Sequence, residues 1–393
     1  MPMLAGLIFA TEDAEGRAGT LAATLPFGGM TLIEYQARLL AAAGVGQMVV
    51  AVGRVTPALL GAVSRIAKRE VTVDIVRSAE EASAKIHPLA TVVVIADGLV
   101  TTDTMLHAMA GEAPDAILVT PEAEASGAVE RLDRGQCWAG VATLSAQRLA
   151  EVAALPREYD FQSTVLRIAV EAGARHVALP ASARRSGHGV ERDAQVLAGR
   201  SNDVLGALAN QRTGWADRWF FTPITRFLLP QLVRREVPAW ATAVAGGGAG
   251  LLALVTLGLG HPAPGMLLAL LSVILLSAGS LLSWLRGDNV RASQQEQGIL
   301  LLAVLSALLL GIIASLAAGH ATPFVLALWG VASNTVADRV PVRPRPWYAS
   351  AASQVLLLTP FALLGLATLG LALATLHAVV SLAAAVEASR HKA

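Results

Sequence analysis

Apolar positions fall into two regimes along the chain. From residue 1 to about 235, short apolar runs alternate with stretches of helical periodicity, whereas from 237 to 388 apolar residues, mostly Leu, Ala, Val, Gly and Ile, are nearly continuous. In the first regime the runs at 4–10, 48–53, 71–76, 91–96, 116–120, 138–144 and 177–180 read as strands, and 32–43, 57–67 and 161–172 as helices. Alternating strands and helices predict an α/β domain with a mostly parallel sheet. The first run, Leu4–Ala10, is too short to span a membrane and lacks a basic start. It is followed by Thr11, Glu12 and Asp13 rather than a small-residue cleavage site, so it reads as a core strand and not a signal peptide.

The second regime contains six runs of membrane-spanning character, near 239–260, 265–285, 298–318, 322–337, 350–368 and 371–388. Lys and Arg are retained on the cytoplasmic side, and they mark alternate loops. Arg226, Arg234 and Arg235 precede the first run, Arg286 and Arg291 follow the second, Arg339, Arg343 and Arg345 the fourth, and Arg390 and Lys392 the sixth. The loops at 261–264, 319–322 and 369–370 carry no Lys or Arg. This pattern predicts six spans in the cytoplasmic (inner) membrane with both termini in the cytoplasm. The expected organisation is a cytosolic domain over 1–200, a linker with a juxtamembrane interfacial helix over 201–236, anchored by Trp219, Phe220 and Phe221, and a membrane domain over 237–393.

Composition narrows the possibilities. The chain of 393 residues is 54% hydrophobic and only 15% charged, which excludes a single soluble enzyme. Charge is balanced, 30 Lys and Arg against 29 Asp and Glu, and aromatics make up 5%, so neither an electrostatic footprint nor stacking platforms for nucleic acid are present. Cys137 is the only cysteine, which rules out an intrachain disulfide and a cysteine-ligated zinc site and fits a reducing cytoplasm.

Chemistry-bearing residues are few. In open α/β sheets ligands sit at the carboxyl ends of the strands, where Asp97 follows the run Val92-Val93-Val94-Ile95-Ala96. A carboxylate there can hold a divalent metal or accept hydrogen bonds in a turn, and the second use is the commoner. Asp288, Glu296 and Asp338 lie in the charged loops of the second regime, among Arg286, Arg291 and Arg339, where solvated ion pairs are the ordinary role. Arg286, Arg291, Arg343 and Arg345 are candidates for binding a lipid phosphate, although topology alone requires basic residues in these loops. Gly246-Gly247-Gly248 lies inside a span and serves close helix packing rather than a nucleotide. His188 and His261 are isolated.

The segment Phe27-Gly28-Gly29-Met30-Thr31-Leu32-Ile33-Glu34-Tyr35-Gln36, continuing to Leu39-Leu40-Ala41-Ala42-Ala43-Gly44-Val45, resembles the stretch after the phosphate loop in sugar-phosphate and alcohol-phosphate nucleotidyltransferases. In that family a G-x-G-x-R loop cradles the nucleotide phosphates through backbone N–H groups, and a later Lys neutralises them. Here the loop is Thr11-Glu12-Asp13-Ala14-Glu15-Gly16-Arg17, with three carboxylates, and Ala22 stands at the lysine position. Asp97 is the one catalytic position that matches, and 183–192 offers no second metal-binding Asp. The join at 194–230, with Thr222-Pro223-Ile224-Thr225-Arg226 as its best local match, resembles bifunctional inositol-1-phosphate cytidylyltransferase/di-myo-inositol phosphate phosphate synthases, in which a nucleotidyltransferase is fused to a CDP-alcohol phosphatidyltransferase membrane domain. That resemblance implies a metal site built from D-x-x-D-G-x-x-A-R at the end of span two and G-x-x-x-D-x-x-x-D on span three. One register places Ala278, Leu281, Leu282 and Leu285 at the motif positions before Arg286, and another places Ser283 and Arg286 at the Asp positions before Arg291. On span three, Leu302 and Ser306 stand where the Asp pair belongs, and span one retains only Pro238 and Thr242 of T-P-N-x-x-T. No metal is therefore expected, with Mg²⁺ required only if activity survives through relocated ligands such as Asp97 and Asp288. The resemblance implies membrane lipids as partners, a nucleotide or CDP-alcohol as a possible ligand, pairing with itself or a homologue through the membrane domain, and a pseudoenzyme role in phospholipid or inositol-phosphate metabolism.

Overall fold

The computed structural model describes every residue except 1–2, 69–70, 113, 126–128, 133–134, 157, 210–213, 236, 341–344 and 391–393. The chain divides into two compact units, Met1–Ala207 and Leu208–Ala393.

The first unit begins β1 (Leu4–Ala10), β2 (Asp13–Ala14), β3 (Arg17–Leu21), β4 (Pro26–Phe27), β5 (Met30–Thr31), α1 (Leu32–Ala42), β6 (Gln47–Val52), α2 (Pro57–Ala67), β7 (Thr72–Val76) and α3 (Ala79–Lys85). It continues β8 (Thr91–Ile95), β9 (Leu99–Val100), α4 (Asp103–Ala110), β10 (Ala116–Pro121), β11 (Gln136–Ser145), α5 (Ala146–Ala153), α6 (Phe161–Glu171), β12 (Arg175–Ala178), α7 (Ala181–Arg185), β13 (Gly189–Val190) and α8 (Ala194–Ala209). Residue 200, the boundary expected from sequence, lies inside α8.

Seven strands form one sheet in the order β12-β10-β11-β8-β1-β6-β7. All neighbours pair in parallel except β11, which runs antiparallel to both β10 and β8. The central strands are buried on both faces, as a sheet covered by helices on two sides requires: every residue of β8 and all but the first of β1 are buried. From β1 the chain builds outward through β6 and β7, then returns to place β8 on the other side of β1. The strand order thus reverses between β1 and β8, and their carboxyl ends open the crevice at which such sheets bind ligands.

The second unit is helical. A π-helical turn, Asp217–Phe221, leads into α9 (Thr222–Arg234). It is followed by α10 (Ala239–Gly258), α11 (Pro262–Leu285), α12 (Asn289–Ala318), α13 (Thr322–Ala337), α14 (Ala351–Leu363) and α15 (Ala367–Arg390). Four of these, α10, α11, α12 and α15, are long and apolar enough to cross a membrane. The 16 residues of α13 and 13 of α14 give only about 24 and 20 Å of helix, short of the ~30 Å hydrocarbon core. The fifth predicted span is shorter than its hydropathy implied because the chain turns at Gly365, whose φ of 74° ends the helix.

Close approach of the helices depends on small residues. A Cβ on Gly246 would lie 2.7 Å from Leu276 Cγ, one on Gly265 2.7 Å from Leu257 Cγ, and one on Gly311 2.7 Å from Ala327 Cβ. Of the three expected interfacial anchors, Trp219 is 76% exposed but Phe221 is only 2% exposed, packed into the helical core. Phe227, at 72% exposure on α9, presents the second large apolar side chain instead.

Candidate functional site

Asp97 sits at the crevice between β1 and β8, two residues beyond the end of β8, and is fully buried. Its Oδ2 accepts hydrogen bonds from the backbone N–H groups of Thr11 at 2.7 Å and Glu12 at 2.8 Å, the first two residues after β1. Its own N–H donates to Gln162 Oε1 at 3.1 Å, and Gln162 Nε2 donates to Glu130 Oε1 at 2.7 Å. Asp97 Oδ1 has no partner among the described residues. Burial pushes the Asp97 carboxyl up to about 7 against the pull of the two amide bonds and of Arg192. Burial likewise raises Glu130.

The segment that resembles the nucleotidyltransferases builds this crevice from behind. Gly28 and Gly29, at φ of 60° and 84°, make the two-residue turn between β4 and β5, a conformation that favours glycine. Thr31 and Glu34 form a capping box that starts α1, and Glu34 is held by Arg65 through bonds of 2.8 and 2.9 Å. On the next turn Tyr35 donates its hydroxyl to Thr101 O at 2.6 Å, and Gln36 Nε2 donates to Leu99 O at 2.9 Å. Both bonds pin the chain on the far side of Asp97. Gly98, at φ 82°, lets the Glu191 backbone approach: Glu191 N donates to Gly98 O at 2.9 Å, and a Cβ on Gly98 would lie 2.5 Å from Glu191 O. His188 bridges Thr101 Oγ1 and Ala139 O at 2.8 Å each, and burial lowers it to about 4, so it is a neutral structural group.

The loop after β1 closes over the crevice rather than opening it. Asp13–Ala14 and Arg17–Leu21 pair as the β2–β3 hairpin, Asp13 ion-pairs with Arg54, and Arg192 Nη1 reaches Glu12 Oε2 at 3.2 Å while its carbonyl accepts from Glu15 N at 2.9 Å. Ala22, at the position expected to hold a lysine, is fully buried in a short 3-10 turn. Thus the amides that would face a phosphate face Asp97, and the side chains around them are Glu12, Asp13 and Glu15. A divalent cation needs several oxygen ligands with open lone pairs. Of the two Asp97 oxygens, Oδ2 is already bonded by two N–H groups and Oδ1 alone is open, and no three His, Cys, Asp or Glu side chains gather as a metal site among the described residues. The residues present do not fit Mg²⁺ here.

The remaining candidates lie in the helical unit. Asp288 caps α12, its Oδ1 accepting from Arg291 N at 3.0 Å, and its Oδ2 pairs with Arg291 Nε at 3.2 Å. Arg286 donates through Nη1 to Val237 O at 2.8 Å, joining the end of α11 to the start of α10. Arg345 is exposed, and Arg343 lies outside the described residues. The structure therefore brings Asp288 and Arg291 together and gives Arg286 a separate structural bond. Where the resemblance called for carboxylates, Ser283 Oγ donates to Gln295 Oε1 at 3.3 Å, Ser306 bonds back to Ala303 O, and Ala278 and Leu282 are core residues. These neutral groups do not fit a cation either.

Several residues of both sites carried no sequence signal. Gln162 and Arg192 reach Asp97 and its loop from far along the chain, and Gln295 is one of several amides at the start of α12. Comparison of the chain with protein families and with curated proteins finds no match.

Proposed function

We propose that the chain is an integral membrane protein of polar-lipid or inositol-phosphate metabolism that acts as a binding or regulatory partner rather than as a transferase. In this reading a cytosolic nucleotidyltransferase-like unit is joined to a six-span unit like a CDP-alcohol phosphatidyltransferase, with both termini cytoplasmic. The sheet order, with its switch point beside Asp97, supports the first half. The basic loops at Arg286, Arg291, Arg339 and Arg345, alternating with uncharged ones, support the second. In the six-span reading, α13 and α14 cross with the help of flanking loop residues.

One observation carries the non-catalytic assignment: Asp97 is fully buried, with the loop amides that a phosphate would need already donated to it. Phosphoryl transfer depends on positioning and on neutralising developing charge, and this crevice supplies carboxylates instead. Detergent-purified protein, given CTP, a panel of CDP-alcohols and phospho-alcohol acceptors, and Mg²⁺ or Mn²⁺, should release neither CMP nor pyrophosphate. Release that requires both metal and acceptor, and that disappears in Asp97→Asn or Asp288→Asn, would overturn the assignment and establish catalysis through relocated ligands.

A further inference from the structure

Four helices of the second unit share one level at the ends opposite the arginine-bearing loops. Phe324 N donates to Ser315 Oγ at 3.0 Å, Thr375 Oγ1 donates to Leu326 O at 2.8 Å, and a Cβ on Gly370 would meet Phe361. The last residues of α12 and α14 and the first of α13 and α15 therefore lie together, joined by the short turns 319–321 and 364–366. Measured from there at 1.5 Å per residue, the first charged side chain comes about 33 Å along α12, at Glu296, and about 30 Å along α15, at Glu387, as a ~30 Å hydrocarbon core requires. On α13 it comes after only about 24 Å, at Asp338, followed by Arg339. The chain entering α14 lies as deep. His377 Nε2 donates to Trp347 O and Ala349 N donates to Ser381 Oγ, at 2.9 Å each, and these two residues of α15 lie about 15 and 21 Å from its start. Arg345 is one turn away, its carbonyl accepting from Tyr348 N at 3.0 Å.

The connection from α13 to α14 thus falls about 6–9 Å short of the surface that α12 and α15 reach, and tilt of the helices only deepens it. Charge and irregular backbone at that depth are costly unless protein or water surrounds them. Protein does not: Asp338, Arg339 and Arg345 are exposed, and neither arginine has an ion-pair partner among the described residues. Arginine side chains snorkel toward the surface, but the short Asp338 carboxylate and the carbonyls that end α13 cannot. The layer next to the loop is polar as well, since Asn334, Thr335 and Gln354 line a cavity of about 30 Å³ there, room enough for a water.

We infer that the ends of α13 and α14, with residues 338–340 and 345–349, form a notch in the bilayer into which water and phospholipid headgroups of the arginine-bearing leaflet descend, their phosphates meeting Arg339 and Arg345. A second copy packed over the notch through its apolar helices would leave both guanidiniums dry and unpaired. The inference goes beyond the function proposed above and rests on it only for membrane embedding.

The test is labelling of the full chain, in liposomes of phosphatidylcholine and phosphatidylglycerol, with a charged thiol reagent that does not cross membranes, supplied to both faces. Wild type gives the baseline, because its single cysteine, Cys137, is buried. Val340→Cys reports the notch. Leu301→Cys, 60% exposed, lies about 26 Å from the same level on α12, and Val290→Cys, 69% exposed, about 42 Å from it. Val340→Cys should react as fast as Val290→Cys, and Leu301→Cys about a hundredfold more slowly, because the thiolate is the reactive form and hydrocarbon excludes it. Adding Arg339→Leu and Arg345→Leu to Val340→Cys should slow its labelling about tenfold, the worth of one charge-assisted hydrogen bond to phosphate. Val340→Cys as slow as Leu301→Cys would mean a dry connection, under lipid or a second copy, and would overturn the inference. Unchanged labelling after loss of both arginines would overturn the phosphate contact. Fast labelling of Leu301→Cys would show instead that the helical unit is not embedded, which removes the membrane reading and the notch with it and is distinct from a dry notch in an embedded chain.

Discussion

Replacing Asp97 by Asn tests the closed crevice directly. The carboxyl group titrates near 3.8 when the chain is unfolded and near 7 in the folded unit, so folding disfavours its charged form. The folded state therefore binds the proton more tightly. Stability from this group is fully present below about pH 4, declines as pH rises, and is lost once pH passes 7. Over that window the loss is about 3 pK units, or roughly 4 kcal/mol at 1.36 kcal/mol per unit. His188 acts in the opposite sense, because its folded value near 4 lies below 6.5 and its contribution falls as pH drops from 6.5 to 4. The wild-type profile is thus flattened by cancellation, and only the difference between variant and wild type isolates Asp97. Asn keeps an oxygen for the Thr11 and Glu12 amides and puts an NH₂ at the partnerless Oδ1 position, at a pH-independent cost of about 1–3 kcal/mol. Asp97→Asn should then be less stable than wild type at pH 4 and more stable at pH 8. Hydrogen–deuterium exchange of β1 and β8 peptides, compared between variant and wild type at each pH so that intrinsic rates cancel, measures the crossing. A variant-to-wild-type ratio independent of pH would refute the argument, because it would mean that Asp97 is charged in the folded unit throughout.

Gly98→Ala combines a φ of 82° with a Cβ 2.5 Å from Glu191 O, and should cost more than about 2 kcal/mol, seen as faster proteolysis of the α/β unit. For Glu34, burial raises the carboxyl, but bonds from Arg65 and Thr31 outweigh it and hold the group below 4.5. Its contribution is therefore present above 4.5 and lost as pH falls through the folded value. Glu34→Gln should cost about 1.5–3 kcal/mol at pH 7, with the difference from wild type shrinking in acid, as followed by exchange at the start of α1. Gly246→Val places a Cβ 2.7 Å from Leu276 Cγ and 3.2 Å from its backbone N. It should destabilise the α10–α11 contact by about 1–3 kcal/mol, lowering the thermal midpoint in detergent while Gly248→Val leaves it unchanged.

What the sequence revealed of the α/β unit was set by local pattern. Strands β1, β6 and β8 are apolar runs bounded by turns, and α1 shows as a helical pattern over 32–43. The direction of β11 was not legible, because a strand buried on both faces shows the same apolar run whichever way it points. The short helices α3 and α4 were also missed: α3 buries only Ala82, leaving almost no apolar period to detect. The position of Asp97 followed from the rule that strand carboxyl ends form the crevice. Its occupation did not, since the groups that fill it are main-chain amides 86 and 85 residues away, which carry no residue-type signature.

In the helical unit α10, α11 and α12 are held together at Thr242, Gly279 and Gln295 without acidic side chains. Carboxylates on facing helices repel one another unless cations lie between them, and at membrane depth that repulsion is poorly screened. Here the layer at Thr242, Gly279 and Gln295 is neutral: Thr242 bonds to Ala239 O, Ser283 donates to Gln295, and Gly279 leaves room for both neighbouring side chains. One layer deeper, Ser272 Oγ donates to Gly246 O at 2.6 Å, tying α11 to α10. Small residues supply the contact and hydroxyls the direction, so the packing of α10, α11 and α12 needs no ion. The glycines that allow α10 to approach α11 at Gly246 leave the adjoining face at Gly247 without side chains.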